Sequence, residues 1–147
     1  MDHKSWLGAL VEAKVISKLI EGKFDVFPQL SGKAPFDLVA HRDGYLLRVQ
    51  VKGTSSRTRY GSYQVQLKSV RSNRTRNRIT HFDPSQYDIL AIYIGPLDKV
   101  CFLRSDEVGD IGQLNLREEP RPPERRCWVI GQLEDVNRIL RDHTRDA

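Results

Sequence analysis

The sequence predicts an α/β protein of the mixed α+β kind, with a central mixed β-sheet flanked by helices. Three observations lead there. Ser5–Glu21 repeats apolar residues at helical spacing, Asp43-Gly44 separates two apolar runs, and Tyr87–Ile94 is almost continuously apolar. Helix, strand, hairpin and further strands in that order imply one sheet with helices laid on it. At 147 residues the chain fits a single domain, 1–147, long enough to bury a real core.

On a helical wheel at about 100° per residue, Lys14, Ser17, Lys18 and Glu21 gather on one side of the first helix. Gly8, Ala9, Val15, Ile16, Leu19 and Ile20 take the other, and Glu12 falls in the middle of them. A carboxylate there costs several kcal/mol unless it is paired, hydrogen-bonded or bound to a metal. A core Arg or Lys accounts for it as readily as a metal does. Gly22 offers a helix C-cap. Phe24–Phe27 reads as a first short strand closed by Pro28, and Gln29–Ala34 as a polar loop with Ser31-Gly32-Lys33 at its tip.

Asp-Gly between apolar runs is the strongest short-range signal for a two-residue hairpin. With Asp43-Gly44 as the turn, Arg42 pairs with Tyr45 and Asp37 stands opposite Gln50. Strand side chains alternate faces, so Asp37, Val39 and His41 share one face with Leu46, Arg48, Gln50 and Lys52. The other face carries only apolar side chains: Phe36, Leu38 and Ala40 against Leu47, Val49 and Val51. One face is core. The other brings together an acid, an amide and an amine.

Gly53–Gly61 reads as a loop, and Ser62–Val70 alternates as the strand that follows Lys52. Arg71–Phe82 lacks apolar periodicity and reads as a loop or mobile arm. Gly95-Pro96 turns the chain into a strand at Val100–Leu103, and Ser105-Asp106-Glu107 caps a short helical turn. Asp110–Arg126, with Pro120, Pro122 and Pro123, reads as an extended surface segment. Cys127–Ile130 forms a short strand, and Gln132–Asp142 a closing amphipathic helix on Leu133, Val136, Ile139 and Leu140.

No run of about 18 apolar residues exists, so no transmembrane helix is expected. The first residues lack a signal-peptide layout, and Cys101 and Cys127 have no metal-ligand spacing; both read as reduced thiols in a cytoplasmic protein. The net charge of +5 is concentrated. Between Gly44 and Phe82 there is no Asp or Glu, while Arg48, Lys52, Arg57, Arg59, Lys68, Arg71, Arg74, Arg76 and Arg78 are basic. Such a block points to a polyanion, most simply nucleic acid, with a solvated basic face as the alternative.

If the first helix lies over the sheet, Glu12 approaches Asp37 and Gln50. Two carboxylates aimed at one point bind a hard divalent cation, typically Mg²⁺, with Mn²⁺ as a substitute. Lys52, on the face of Gln50, then orients a water or neutralises a phosphoryl transition state. Gln50 offers a neutral carbonyl oxygen. This chemistry is hydrolysis of a phosphodiester.

Glu12 on a helix, Asp37 opening a hairpin and Gln50-Val51-Lys52 closing it resemble the core of the PD-(D/E)XK nuclease superfamily. The text around Glu12-Ala-Lys-Val, Phe36-Asp-Leu-Val and Val49-Gln-Val-Lys is most similar to two branches. These are archaeal-type Holliday-junction resolvases and the small group I intron-encoded homing endonucleases of cyanobacteria, which share the chain length and the glutamine in place of an acid. The resemblance implies a restriction-endonuclease-like fold, with Glu12 and Asp37 as metal ligands, Gln50 supplying an oxygen and Lys52 as catalytic lysine. It also places Ser31 where resolvases carry a phosphate-contacting serine. The loss of one anionic ligand at Gln50 implies weaker metal binding or a degenerate site.

DNA contacts are expected from Ser31 and Lys33, from the 53–61 loop and from the 68–82 segment. Arginine reads guanine bidentately and glutamine reads adenine. Arg57, Arg59, Gln64, Gln66, Lys68, Arg71, Arg74, Arg76 and Arg78 supply such side chains, with Tyr60 and Tyr63 interleaved. A two-stranded ribbon of these segments fits the major groove; contact with phosphates alone gives salt-dependent, non-specific affinity. The functions in view are a sequence-specific endonuclease of double-stranded DNA of homing type, a junction resolvase, and a catalytically silent DNA-binding module. Two strand cuts with one site per chain imply a homodimer or homotetramer.

Overall fold

A computed structural model describes residues 3–72, 77–81, 83–120 and 128–140. The chain runs α1 (His3–Glu21), β1 (Asp25–Pro28), β2 (Leu38–Arg42), β3 (Tyr45–Thr54), β4 (Ser62–Gln66), β5 (Lys68–Ser72) and β6 (Asn77–His81). It continues through β7 (Ile89–Ile94), β8 (Lys99–Arg104), α2 (Ser105–Val108), β9 (Gln113–Arg117) and β10 (Trp128–Val129), then short 3₁₀ turns at Ile130–Gln132 and Val136–Leu140. The main sheet has the order β1-β2-β3-β7-β8, with β3 and β7 parallel and the other neighbours antiparallel.

The hairpin has the expected register. Arg42 pairs with Tyr45, and the ladder runs through to Leu38 against Val49; Asp37 lies outside it, its amide donating to the Val49 carbonyl, so the expected Asp37–Gln50 pair is not part of the ladder. Asp43 and Gly44 both have positive φ, 53° and 84°, as a two-residue turn matching strand twist requires. Leu38, Ala40, Leu47 and Val49 are buried under Val15 and Leu19 of α1, with Ile139 and Leu140 closing the same core. The β7 run is buried throughout, as its continuous apolar text demands: Ile89, Ala91 and Tyr93 face α1, and Leu90, Ile92 and Ile94 face the opposite layer.

That opposite layer corrects three expectations. Ser62–Val70 follows Lys52 as strand but is not one strand: β4 ends at Gln66 and joins a second sheet of order β10-β9-β4, Lys68–Val70 belongs to β5, and β3 pairs with β7. Asp110–Arg126 is not simply an extended surface segment. Gln113–Arg117 forms β9, whose Leu114 and Leu116 are buried against Tyr63 and Val65 of β4 and the lower face of β7. The signal was present in the alternation Gln-Leu-Asn-Leu-Arg, overshadowed by the prolines after it. Of Arg71–Phe82, expected to be a loop or mobile arm, the described residues Arg71, Ser72 and 77–81 are strand: β5 and β6 pair antiparallel, Lys68 with His81 through Ser72 with Asn77. Residues 73–76 and 82 lie outside the described residues, as do 121–127 and 141–147.

Two smaller corrections concern helix ends. Lys23, not Gly22, takes the left-handed position after α1, at φ 69°. The Lys23 amide donates to the Ile20 carbonyl and the Phe24 amide to that of Leu19, a Schellman closure. Gly22 is required for space, because a Cβ there would clash with a Val136 methyl. The closing helix expected over Gln132–Asp142 is replaced by the two 3₁₀ turns, although Leu133, Val136, Ile139 and Leu140 are all buried as anticipated. The first turns of α1 overhang the sheet, leaving Gly8 and Ala9 exposed rather than inward.

Candidate active site at the α1–β3 cleft

Three of the residues singled out from the sequence meet in one place. Glu12, Asp37 and Lys52 line an open cleft of about 680 Å³, walled by Leu7, Val11 and Tyr93. Each is brought there by a different element. Glu12 lies one residue beyond Val11 and three before buried Val15, so burying the helix turns it toward the sheet. Asp37 sits just outside β2, where its amide donates to the Val49 carbonyl at 2.9 Å. Lys52 belongs to β3, paired with Ile92 of the central strand β7.

The Asp37 carboxylate is anchored by one oxygen. Its Oδ2 accepts the Val51 amide hydrogen at 2.8 Å, so its position is set by the backbone of β3. Among the described residues Oδ1 accepts no hydrogen bond, and Glu12 has neither ion pair nor hydrogen bond. The core Arg or Lys that would have made Glu12 purely structural is therefore not there among these residues. Burial, and then the charge of Asp37, raise the Glu12 carboxyl above its ordinary 4.5. Burial lowers the Lys52 ammonium from its ordinary 10.5, with the Asp37 charge acting in the opposite direction.

Gln50 is half-buried on β3 beside Leu90, two residues before Lys52, and is not among the side chains lining the cleft. Ser31 and Lys33 are exposed in the loop before Asp37, also away from the cleft lining, with the Lys33 amide donating to the Ser31 hydroxyl. That loop is held by a residue the sequence did not single out. Gln29 donates through Nε2 to the Phe36 carbonyl at 2.9 Å and accepts the Ala34 amide hydrogen at 3.0 Å, fixing the approach to Asp37. A glutamine stapling its own loop has no distinguishing text. On the helix side, Asp98 accepts from Lys14 at 2.9 Å and from the Tyr93 hydroxyl at 2.8 Å, tying α1 to the end of β7.

The residues expected to meet DNA separate into three groups. Arg57, Arg59 and Tyr60 are exposed, with Arg59 donating to the Tyr60 hydroxyl and Arg57 held 5.8 Å from the Tyr63 ring. Gln64 and Gln66 stand on the outer side of β4. Lys68, Arg71 and Arg78 fall on the β5–β6 ladder, where Arg71 pairs with Arg78, while Arg74 and Arg76 lie outside the described residues. Arg48 is occupied elsewhere. It forms a two-pronged pair with Asp88, both bonds 3.1 Å, at the base of β7.

The donor set suits a hard cation: two carboxylates in one cleft, each with oxygen left unsatisfied, with an amide on the same hairpin. No cluster of three or more His, Cys, Asp and Glu occurs among the described residues.

The fold is thus a helix carrying an acid over a mixed sheet, with an aspartate and a lysine meeting it at the hairpin. A family model described as PD-(D/E)XK endonuclease matches residues 1–128, and the chain belongs to that family. Among solved structures it is similar to a bacterial homing endonuclease, I-Ssp6803I, at 18% identity, with 99% of this chain and 97% of that one covered and a TM-score of 0.80. That likeness is one of fold. No curated protein matches the sequence. No described helix is long and apolar enough to cross a membrane.

Proposed function

We propose that the protein is a metal-dependent endonuclease that cuts double-stranded DNA at specific sequences. The observation that carries this reading is the convergence of Glu12, Asp37 and Lys52 on one cleft beside the basic segments. Glu12 and Asp37, which line the cleft, would hold the ion; the Gln50 side chain lies outside that lining and would have to turn toward it to add an oxygen. When bound, Mg²⁺ or Mn²⁺ would neutralise phosphate charge and lower the pKa of water. Lys52 is placed to orient the attacking water and to meet charge developing on the phosphate. Its lowered pKa brings it nearer to the range in which it can also exchange a proton. Water adds to phosphorus, the bond to one sugar oxygen breaks, and that oxygen takes up a proton.

Substrate capture is supported by the basic segments. Arg57 and Arg59 stand exposed in the 53–61 loop. The 53–61 loop leads directly from the cleft, since Thr54 and Ser55 line its rim. A chain with one cleft cuts both strands only as a homodimer or homotetramer. Trp6, Leu7 and Leu10, 64%, 47% and 48% exposed on α1, supply apolar surface for such an assembly.

The test is cleavage, with Mg²⁺, of a randomised linear duplex library and of four-way junctions of unrelated sequence. Specific cutting of linear duplex that disappears in Asp37→Ala while binding survives supports the proposal. Preferential cutting of junctions whatever their sequence replaces it with a resolvase. Binding without cutting under any divalent ion leaves a silent DNA-binding module.

A further inference from the structure

We propose, resting on the nuclease reading above, that the outer face of β4 and β9 is a base-reading ribbon that selects adenine in the DNA major groove. Its side chains are Gln64 and Gln66 on β4 and Gln113 and Asn115 on β9. Gln64 pairs directly with Asn115, and Gln66 with Gln113. On each strand they alternate with buried residues, Tyr63 and Val65 on one and Leu114 and Leu116 on the other, so all four point away from the core. The face thus carries two adjacent rows of two primary amides, followed by a third row of Ser62 and Arg117. Among the described residues none of the four side chains has a hydrogen-bond partner.

Composition, width and spacing each match a duplex. Asparagine is disfavoured in strands, and an outward sheet face ordinarily mixes charged and hydroxyl residues, so four amides at four of the six outward paired positions call for a reason. A primary amide presents a donor beside an acceptor, the complement of adenine N7 and N6 in the major groove. The third strand, β10, pairs only with Leu116 and Arg117, and the 54–58 segment bonds the far edge of β4 only from Ser62 to Gln64, so the described sheet narrows to two strands at Gln66 and Gln113. Two strands about 4.8 Å apart fit a groove about 12 Å across. Residues two apart on a strand are about 6.7 Å apart, and two base-pair steps span about 6.8 Å. The two amide rows therefore match adenines two base pairs apart.

The ribbon is joined to the cleft. Thr54, two residues beyond Lys52, donates its hydroxyl hydrogen to the Gln64 carbonyl, and the Gln64 amide donates to the Ser56 carbonyl. Arg57, Arg59 and Arg117 cluster at the Ser62 end of β4, with Arg117 bonded to the Tyr60 carbonyl.

The experiment is deep sequencing of the ends produced when the full chain cuts a randomised duplex pool with Mg²⁺, repeated for Gln64→Ala, Gln66→Ala, Gln113→Ala and Asn115→Ala. All four residues are surface side chains, and thermal melting checks that each variant stays folded. The expected result is adenine at two positions two base pairs apart, with each row's variants losing about tenfold or more of the preference at their own position. Replacing a selected adenine by 7-deazaadenine, which lacks N7, should slow the wild type at that site more than the matching variant. Specific cutting whose base preferences are the same in all four variants overturns the ribbon and leaves the nuclease reading standing. A protein that neither binds nor cuts any duplex overturns both.

Discussion

Gly53 sets how closely α1 approaches the catalytic strand, and replacing it should disable the enzyme without unfolding it. A Cβ built at Gly53 falls 2.7 Å from one Val11 methyl and 3.3 Å from the other. Carbon atoms at rest sit about 3.5–4.0 Å apart, so Gly53→Ala must push the Val11 side chain, and α1 with it, by about 1 Å. Overpacking of this kind costs roughly 1–3 kcal/mol. Glu12 is the next residue on the helix and Lys52 the preceding one on the strand, so the displacement falls on the separation between them. A misplacement of about 1 Å in a catalytic constellation is worth about 10²-fold in rate. Gly53→Ala should therefore lower single-turnover cleavage of a target duplex about a hundredfold, with a modest fall in melting temperature. The double variant Val11→Ala, Gly53→Ala removes the clash and should recover most of the lost rate, although Val11→Ala alone trims core contact and lowers stability. Wild-type rates in Gly53→Ala would refute the reasoning, and so would a double variant no faster than the single one.

Other consequences follow from the same geometry. Because Glu12's pKa is raised on folding, its charged form disfavours the fold: stability falls as pH rises from 4.5 through the raised value, and metal-free Glu12→Gln should melt higher than wild type at pH 7 but not at pH 3. Added Mg²⁺ should raise the wild-type melting temperature and leave that of Glu12→Gln nearly unmoved; equal shifts would remove Glu12 from the ion site. Burial pushes Glu107 upward, but hydrogen bonds from Arg138 and the Arg104 amide hold it below its ordinary 4.5, so its contribution is present above that pH and lost as pH falls through the lower folded value. Glu107→Gln should accordingly flatten the acid-unfolding curve below pH 4.5, and Glu107→Ala, which strands the Arg138 charge, should cost about 3 kcal/mol in chemical denaturation. Arg48→Ala should lower stability by about 1 kcal/mol or less and leave the salt dependence of DNA binding unchanged, since Arg48 is committed to Asp88; a shallower salt slope would place it on the DNA.

The sequence by itself determined the hairpin, its register and the acid that opens it, because Asp43-Gly44 and a strict period of two are local signals that tertiary packing only reinforces. It also determined the inward carboxylate at Glu12 and the buried β7 strand. The partner of each strand was decided by the tertiary structure. Ser62–Gln66 carries a strand pattern that fits either sheet, and it joins β9 because the lower face of β7 needs covering by Tyr63, Val65, Leu114 and Leu116. The β5–β6 hairpin has no apolar period, so only the pairing of its backbone reveals it. The cleft shows the same division. Three chemically suited residues were legible as types, but their meeting depends on how deeply α1 settles on β3, and a glycine's missing Cβ sets that depth. A contact made by an absent atom leaves no periodicity to read.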